Sequence, residues 1–82
     1  MAFELYKDAI LTSDLSECGL RAGDVGTVVD RHVAAGNEDG YSVEFFDMTG
    51  RTVAVTIVPE SALRDPSSAD RPTVRSAAVV GA

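Results

Sequence analysis

Gly23-Asp24-Val25-Gly26-Thr27-Val28-Val29-Asp30-Arg31-His32 is the stretch on which the fold turns. Val25, Thr27, Val28 and Val29 are β-branched, and such side chains fit a pleated strand better than a helix. Gly23 permits a tight turn into the strand, and Gly26 permits a kink within it. Small sheets need kinks of this kind to curl toward closure. On either side the apolar runs stay short and the punctuation frequent. Upstream, Asp8-Ala9-Ile10-Leu11-Thr12 reads as a first strand, and Asp14 to Asp24 as a loop carrying Gly19 and Gly23. Downstream, Asn37-Glu38-Asp39-Gly40 is a turn, and Tyr41-Ser42-Val43-Glu44-Phe45-Phe46 alternates until Asp47 and Gly50 end it. Arg51-Thr52-Val53-Ala54-Val55-Thr56-Ile57-Val58 alternates again, which places Val53, Val55 and Ile57 on one face. Pro59 has no N–H for a ladder and ends that strand. Pro59-Glu60-Ser61-Ala62-Leu63 reads as one helical turn, and Leu63-Arg64 as a last short strand.

No window of about 11 residues keeps apolar side chains at helical spacing without a glycine interruption. Strands recurring every ~8–12 residues between turn signals indicate a barrel or a small sandwich. The long loop after strand one, then two hairpins, a helical turn and a short strand, is the order of an SH3-like barrel. The fold class read from the sequence is therefore all-β, a small five-stranded antiparallel SH3-like barrel with a disordered C-terminal tail. Strands are expected near 8–12, 24–32, 40–47, 52–58 and 63–65. Val28, Val43, Phe45, Val55 and Leu63 are expected to be buried together, and Phe46, next to Phe45, points to the other face.

The barrel takes residues 1–65 and the tail 66–82, because the composition breaks near Pro66. The first part holds every aromatic residue, and its Lys7 and four arginines face twelve acids, for a charge of −7. The second contains Pro66, Ser67, Ser68, Pro72, Ser76 and several alanines, and buries too little apolar area to offset its ordering entropy. Ala77-Ala78-Val79-Val80 has strand character, and chance composition accounts for it. Eighty-two residues leave no room for a deep substrate cavity, and the net charge of −6 opposes phosphate backbones and anionic membranes alike. A single cysteine, Cys18, excludes an internal disulfide and points to a reducing, cytoplasmic setting. Met1-Ala2-Phe3-Glu4 lacks a signal-peptide n-region, and no apolar run nears the ~20 residues of a membrane span.

Catalytic groups are scarce. Cys18 follows Glu17, which works against a thiolate. His32 is the sole histidine, and no third group is indicated to orient a Cys–His pair. A zinc site takes about four N or S ligands, and this chain offers two, so no metal or cofactor is expected. Glu38, Asp39 and Asp47 bracket a hairpin, where carboxylates ordinarily bond their own turns. Gly19, Gly23 and Gly26 have neither the following helix nor the lysine of a phosphate loop. The chain reads as no enzyme.

Leu5-Tyr6-Lys7-Asp8, Leu11-Thr12, Asp14-Leu15, Gly19-Leu20, Gly23 to Val29, Tyr41 to Asp47 and Pro59 to Arg64 together resemble a family of small bacterial proteins catalogued as a domain of unknown function. The resemblance covers residues 3–65. It implies a small barrel, and it carries an association with a second small neighbouring gene in the manner of toxin–antitoxin pairs. Gly23 to Val29 is also similar to the core of the KOW motif of ribosomal and transcription proteins. Here the neighbours Asp24, Asp30 and Glu44 oppose RNA. Leu20 to Val29 with Val43-Glu44-Phe45 is similar to the barrel of the nitrile hydratase β-subunit and its accessory proteins, which supports a metal-bearing partner.

The reading that follows is an acidic protein-interaction module that binds and regulates or neutralises a partner protein, in an antitoxin- or immunity-like manner. The partner is a protein, basic in character and encoded nearby, and neither nucleic acid nor membrane. A metalloenzyme accessory subunit is the alternative, and a KOW-like RNA-associated domain ranks last. The binding residues expected are Asp14, Leu15, Glu17, Leu20, Arg21 and Asp24 in the loop, with Glu44 and Phe46 on the outward strand face. Leu15 and Leu20 are either apolar anchors ringed by acids or a lid folded back on the barrel end.

Overall fold

The computed structural model describes residues 3–77. Five strands, β1 (Asp8–Leu11), β2 (Val25–His32), β3 (Gly40–Phe46), β4 (Thr52–Pro59) and β5 (Leu63–Arg64), alternate with two 3-10 turns, Ser16–Cys18 and Glu60–Ala62. All pairings are antiparallel, in the order β4-β3-β2-β1-β5. The last strand thus returns beside the first, and the sheet curls into a half-barrel with β4 and β5 at its edges. The five strands lie where the sequence places them, and the expected helical turn after Pro59 is the second 3-10 turn.

The concave side holds one core, built from Ala9, Leu11, Leu20, Val28, Tyr41, Val43, Phe45, Val58, Ala62 and Leu63. Phe3 closes one side of it, with its ring edge-on to Tyr41 at 5.3 Å and its N–H donating to the Tyr41 hydroxyl at 3.2 Å. Opposed residues on antiparallel strands share a face. Tyr41 opposes Val58, Val43 opposes Thr56, and Phe45 opposes Ala54, so the buried members of β3 draw this set of β4 inward. Val55 is therefore not in the core as expected; it is 58% exposed, and Val53 and Ile57 are exposed with it. The reason is volume. Tyr41 and Phe45 fill the half-barrel, and the small Ala54 and Thr56 fit opposite Phe45 and Val43 where two valines would crowd.

Gly26 has a different role from the expected kink. A Cβ there would lie 2.5 Å from Val43 Cγ1 and 2.9 Å from Phe45 Cε1, so the residue is glycine because side chains of β3 pass against it. The irregularity comes later in the strand, between Val28 and Asp30, where the register with β3 shifts. The N-terminal segment caps this point: Tyr6 N–H donates to the Val28 carbonyl and Val28 N–H donates to that of Lys7. Tyr6 adopts φ 64° to do so. Gly23, at φ 95°, makes the tight turn the sequence indicates.

Residues 66–77 add no helix or strand. Ser67 and Asp70 close a turn, and the Arg64 guanidinium donates to both Asp70 carboxylate oxygens at 2.9 and 2.7 Å. Further on, Arg75 reaches back to Asp24. Of the Ala77–Val80 stretch, residues 78–80 lie outside the described residues.

Candidate interaction surface

The loop from Thr12 to Asp24 is a folded lid. Leu15 and Leu20 exchange backbone hydrogen bonds at 2.9 and 3.1 Å around the Ser16–Cys18 turn, and Gly19 closes it at φ 71°. Leu20, 5% exposed, belongs to the core, and Leu15 is half-buried against that core. Of the two readings of these leucines, the structure has the lid, because two apolar side chains beside an open barrel end gain more by covering it than by facing water. The acids stiffen the same loop. Asp14 accepts from Ala22 N–H at 2.8 Å and Asp24 from Arg21 N–H at 2.9 Å. Glu17 and Arg21 are exposed on its outside.

Glu44 and Phe46 stand on β3 as the alternation requires. Glu44 is half-buried and accepts from the Thr52 hydroxyl across the hairpin, and Phe46 is 45% exposed. Beside them lies what sequence reasoning missed. β4 carries no charged residue in its eight positions, and it exposes Val53, Val55 and Ile57 along the edge of the sheet. Both alternating sets of β4 are largely apolar, and that two-sidedness was the available signal. Met48 in the β3–β4 turn and Val25 at the start of β2 are exposed as well.

The groups considered for chemistry are accounted for by structure. Glu38 accepts from the N–H and hydroxyl of Ser61, Asp39 pairs with Arg31, and Asp47 accepts from the N–H groups of Thr49 and Arg51 in its own turn. These contacts hold the Glu38 and Asp47 carboxyls below their ordinary range, Ser61 acting chiefly on the first and Thr49 on the second. His32 Nε2 lies 2.7 Å from the Ser42 hydroxyl at the far end of β2, whereas Cys18 lines a groove with Val25 at its start. Eight strand residues, at ~3.3 Å each, separate these ends. Among the described residues, no three His, Cys, Asp or Glu side chains are grouped to hold a metal ion. Among the same residues, no helix is long and apolar enough to cross a membrane.

A family model, Domain of unknown function (DUF4926), matches residues 5–65. The chain belongs to this family. The DUF4926 match spans the whole sheet, including the lid, the β3–β4 turn and the exposed β4 edge, and it stops before the segment that carries Asp70 and Arg75. No curated protein and no solved structure gives a significant match.

Proposed function

We propose that this DUF4926 chain is a non-catalytic protein-interaction module on an SH3-like barrel, which binds a partner protein and regulates or neutralises it. The strand order β4-β3-β2-β1-β5 and the 3-10 turn ahead of β5 support the SH3-like assignment. The observation that carries the function is the β4 edge, uncharged over its length and exposing Val53, Val55 and Ile57 next to Phe46. Edge strands are ordinarily protected by lysine, proline or inward charges. β4 has proline only at its last position, in a molecule of net charge −6. An exposed apolar strip bounded by acids such as Glu44 and Asp47 suits an apolar contact with a charged rim. The acidic field steers a basic partner onto it, raising the association rate more than the affinity. Cys18, free and exposed, suits a reducing cytoplasmic setting.

The test is affinity capture from native lysate with the wild-type chain, Val55→Glu and Ile57→Glu, read by mass spectrometry. The expected result is a basic protein held by the wild type and lost by both variants, while their unfolding midpoints stay near that of the wild type. A partner held equally by all three chains removes β4 from the interface, and stoichiometric nucleic acid in the wild-type eluate removes the protein-partner reading.

A further inference from the structure

A groove of about 370 Å³ runs between the lid and the β3–β4 hairpin, with Leu20, Val25, Phe46, Met48 and Val53 among its lining. Its remaining side is supplied by the C-terminal segment through Thr73, Val74, Arg75 and Ala77. One side chain fastens that segment. Arg75 Nε and Nη2 donate to the two carboxylate oxygens of Asp24 at 3.1 and 2.5 Å, and Nη2 donates also to the Gly19 carbonyl at 3.2 Å. Among the described residues, no backbone hydrogen bond joins residues 71–77 to the sheet. The receptor for the guanidinium, by contrast, is well fixed: Asp24 is held by Arg21 N–H, Gly19 caps the 3-10 turn, and Asp14 adds a further negative charge nearby.

We propose that the guanidinium acceptor formed by Asp24 and the Gly19 carbonyl on the wall of this groove docks an extended, arginine-bearing segment of the partner protein, and that residues 71–77 are the built-in occupant of that acceptor, which such a segment displaces. The proposal rests on the reading of the domain as an interaction module. Charge complementarity selects the occupant. The acids Asp24 and Asp47 line the groove, and among the described residues the one cation lining it is Arg75 of the tail itself. With the tail lifted away, apolar walls and a carboxylate paired with a carbonyl are left, a fork-shaped acceptor suited to a guanidinium. The apolar walls and the length of the covering segment favour a peptide over a free cation. The strap is releasable because exposed ion pairs are weak. While it is closed it lowers the apparent affinity of any competitor by the fraction of open molecules.

The experiment titrates an end-blocked Pro-Thr-Val-Arg-Ser-Ala peptide, the sequence of residues 72–77, into three full-length chains: wild type, Arg75→Ala, and Arg75→Ala with Asp24→Asn. The amide NMR signals of Gly19, Asp24 and Val25 are followed. The expected result is binding about fivefold tighter to Arg75→Ala than to wild type, the factor a strong exposed pair supplies. Binding is lost in the double variant, and with a peptide in which glutamine replaces arginine. Equal affinity for wild type and Arg75→Ala overturns the built-in occupant, and equal binding of the glutamine peptide overturns the guanidinium site. Val55→Glu, which tests the β4 face, leaves this titration unchanged, so the two readings fail separately.

Discussion

The lid from Thr12 to Asp24 and strand β4 have exchanged the roles that simple patterning gives them. The lid has the polar, glycine-bearing composition of a projecting loop, yet it places Leu20 in the core and Leu15 against it. β4 has the apolar alternation of a core strand, yet Val53, Val55 and Ile57 face outward. The difference teaches that burial is decided by what stands opposite. Leu20 turns back from the lid into the core, with Leu15 packed against the same cluster. β4 faces Tyr41, Val43 and Phe45, which leave space for Ala54 and Thr56 and admit only Val58 as a larger neighbour.

The sharpest way to break this comparison is at Phe45, whose bulk sets the choice in β4. Phe45→Ala is expected to cost ~3–5 kcal/mol, close to the whole stability of so small a domain. Chemical denaturation that finds the variant folded and unperturbed shows that the β3–β4 register does not depend on that side chain. Leu20→Ala follows, with an expected loss of ~2–4 kcal/mol read from the unfolding midpoint. An unaltered midpoint moves Leu20 back to the surface and makes the lid an interface.

Gly26→Ala comes next. Its new methyl meets Val43 Cγ1 at 2.5 Å, and overpacking of this kind costs ~1–3 kcal/mol. A neutral outcome in thermal unfolding means β3 can move away from β2 without loss. Ile57→Thr, at the exposed β4 edge, is expected to change stability by less than ~0.5 kcal/mol. It is expected to weaken partner capture about tenfold, the scale of one interface residue worth ~1.4 kcal/mol. A stability loss matching that of Leu20→Ala returns Ile57 to the core.

Much of the fold was legible because turn chemistry is local. Gly23, Asp47 with Gly50, and Pro59 delimit the strands by local backbone geometry, whereas the turn expected at Asn37–Gly40 falls earlier: Asn37 N–H donates to the Ala34 carbonyl, Gly36 takes φ 79°, and Gly40 already belongs to β3. The facing of β4 was not legible, since alternation shows which residues share a side but not which side is covered. With Val53, Val55 and Ile57 on one side and Ala54, Thr56 and Val58 on the other, only the pairing partners decide. The candidate surface was legible at Glu44 and Phe46, both from strict alternation in β3. The Asp24–Arg75 contact spans 51 residues and joins two segments without regular structure, so no local pattern announces it.

That contact also gives the smallest expected effect, a pH-dependent release of the tail. Partial burial works to raise the Asp24 pKa, but hydrogen bonds from Arg75 and from Arg21 N–H outweigh it and hold the carboxyl below its ordinary range. The Arg64 guanidinium, helped by Ser67 N–H, holds Asp70 well below that range and further than Asp24. A carboxyl depressed in the folded state contributes stability above its unfolded pKa of ~3.9 and loses it as the pH falls through the folded value. Acidification from pH 5 therefore opens the Asp24–Arg75 fastening first and the Arg64–Asp70 turn later. Amide signals of Ala77 and Ala69, followed while that of Val43 stays native, are expected to change in that order. The unfolding midpoint moves little over the first step, because the Asp24–Arg75 pair fastens a segment that adds no helix or strand to the sheet. Simultaneous change of the two alanines, or Ala69 leading, shows that Arg75 does not hold the segment independently, and the lid and tail then respond to acid as one unit.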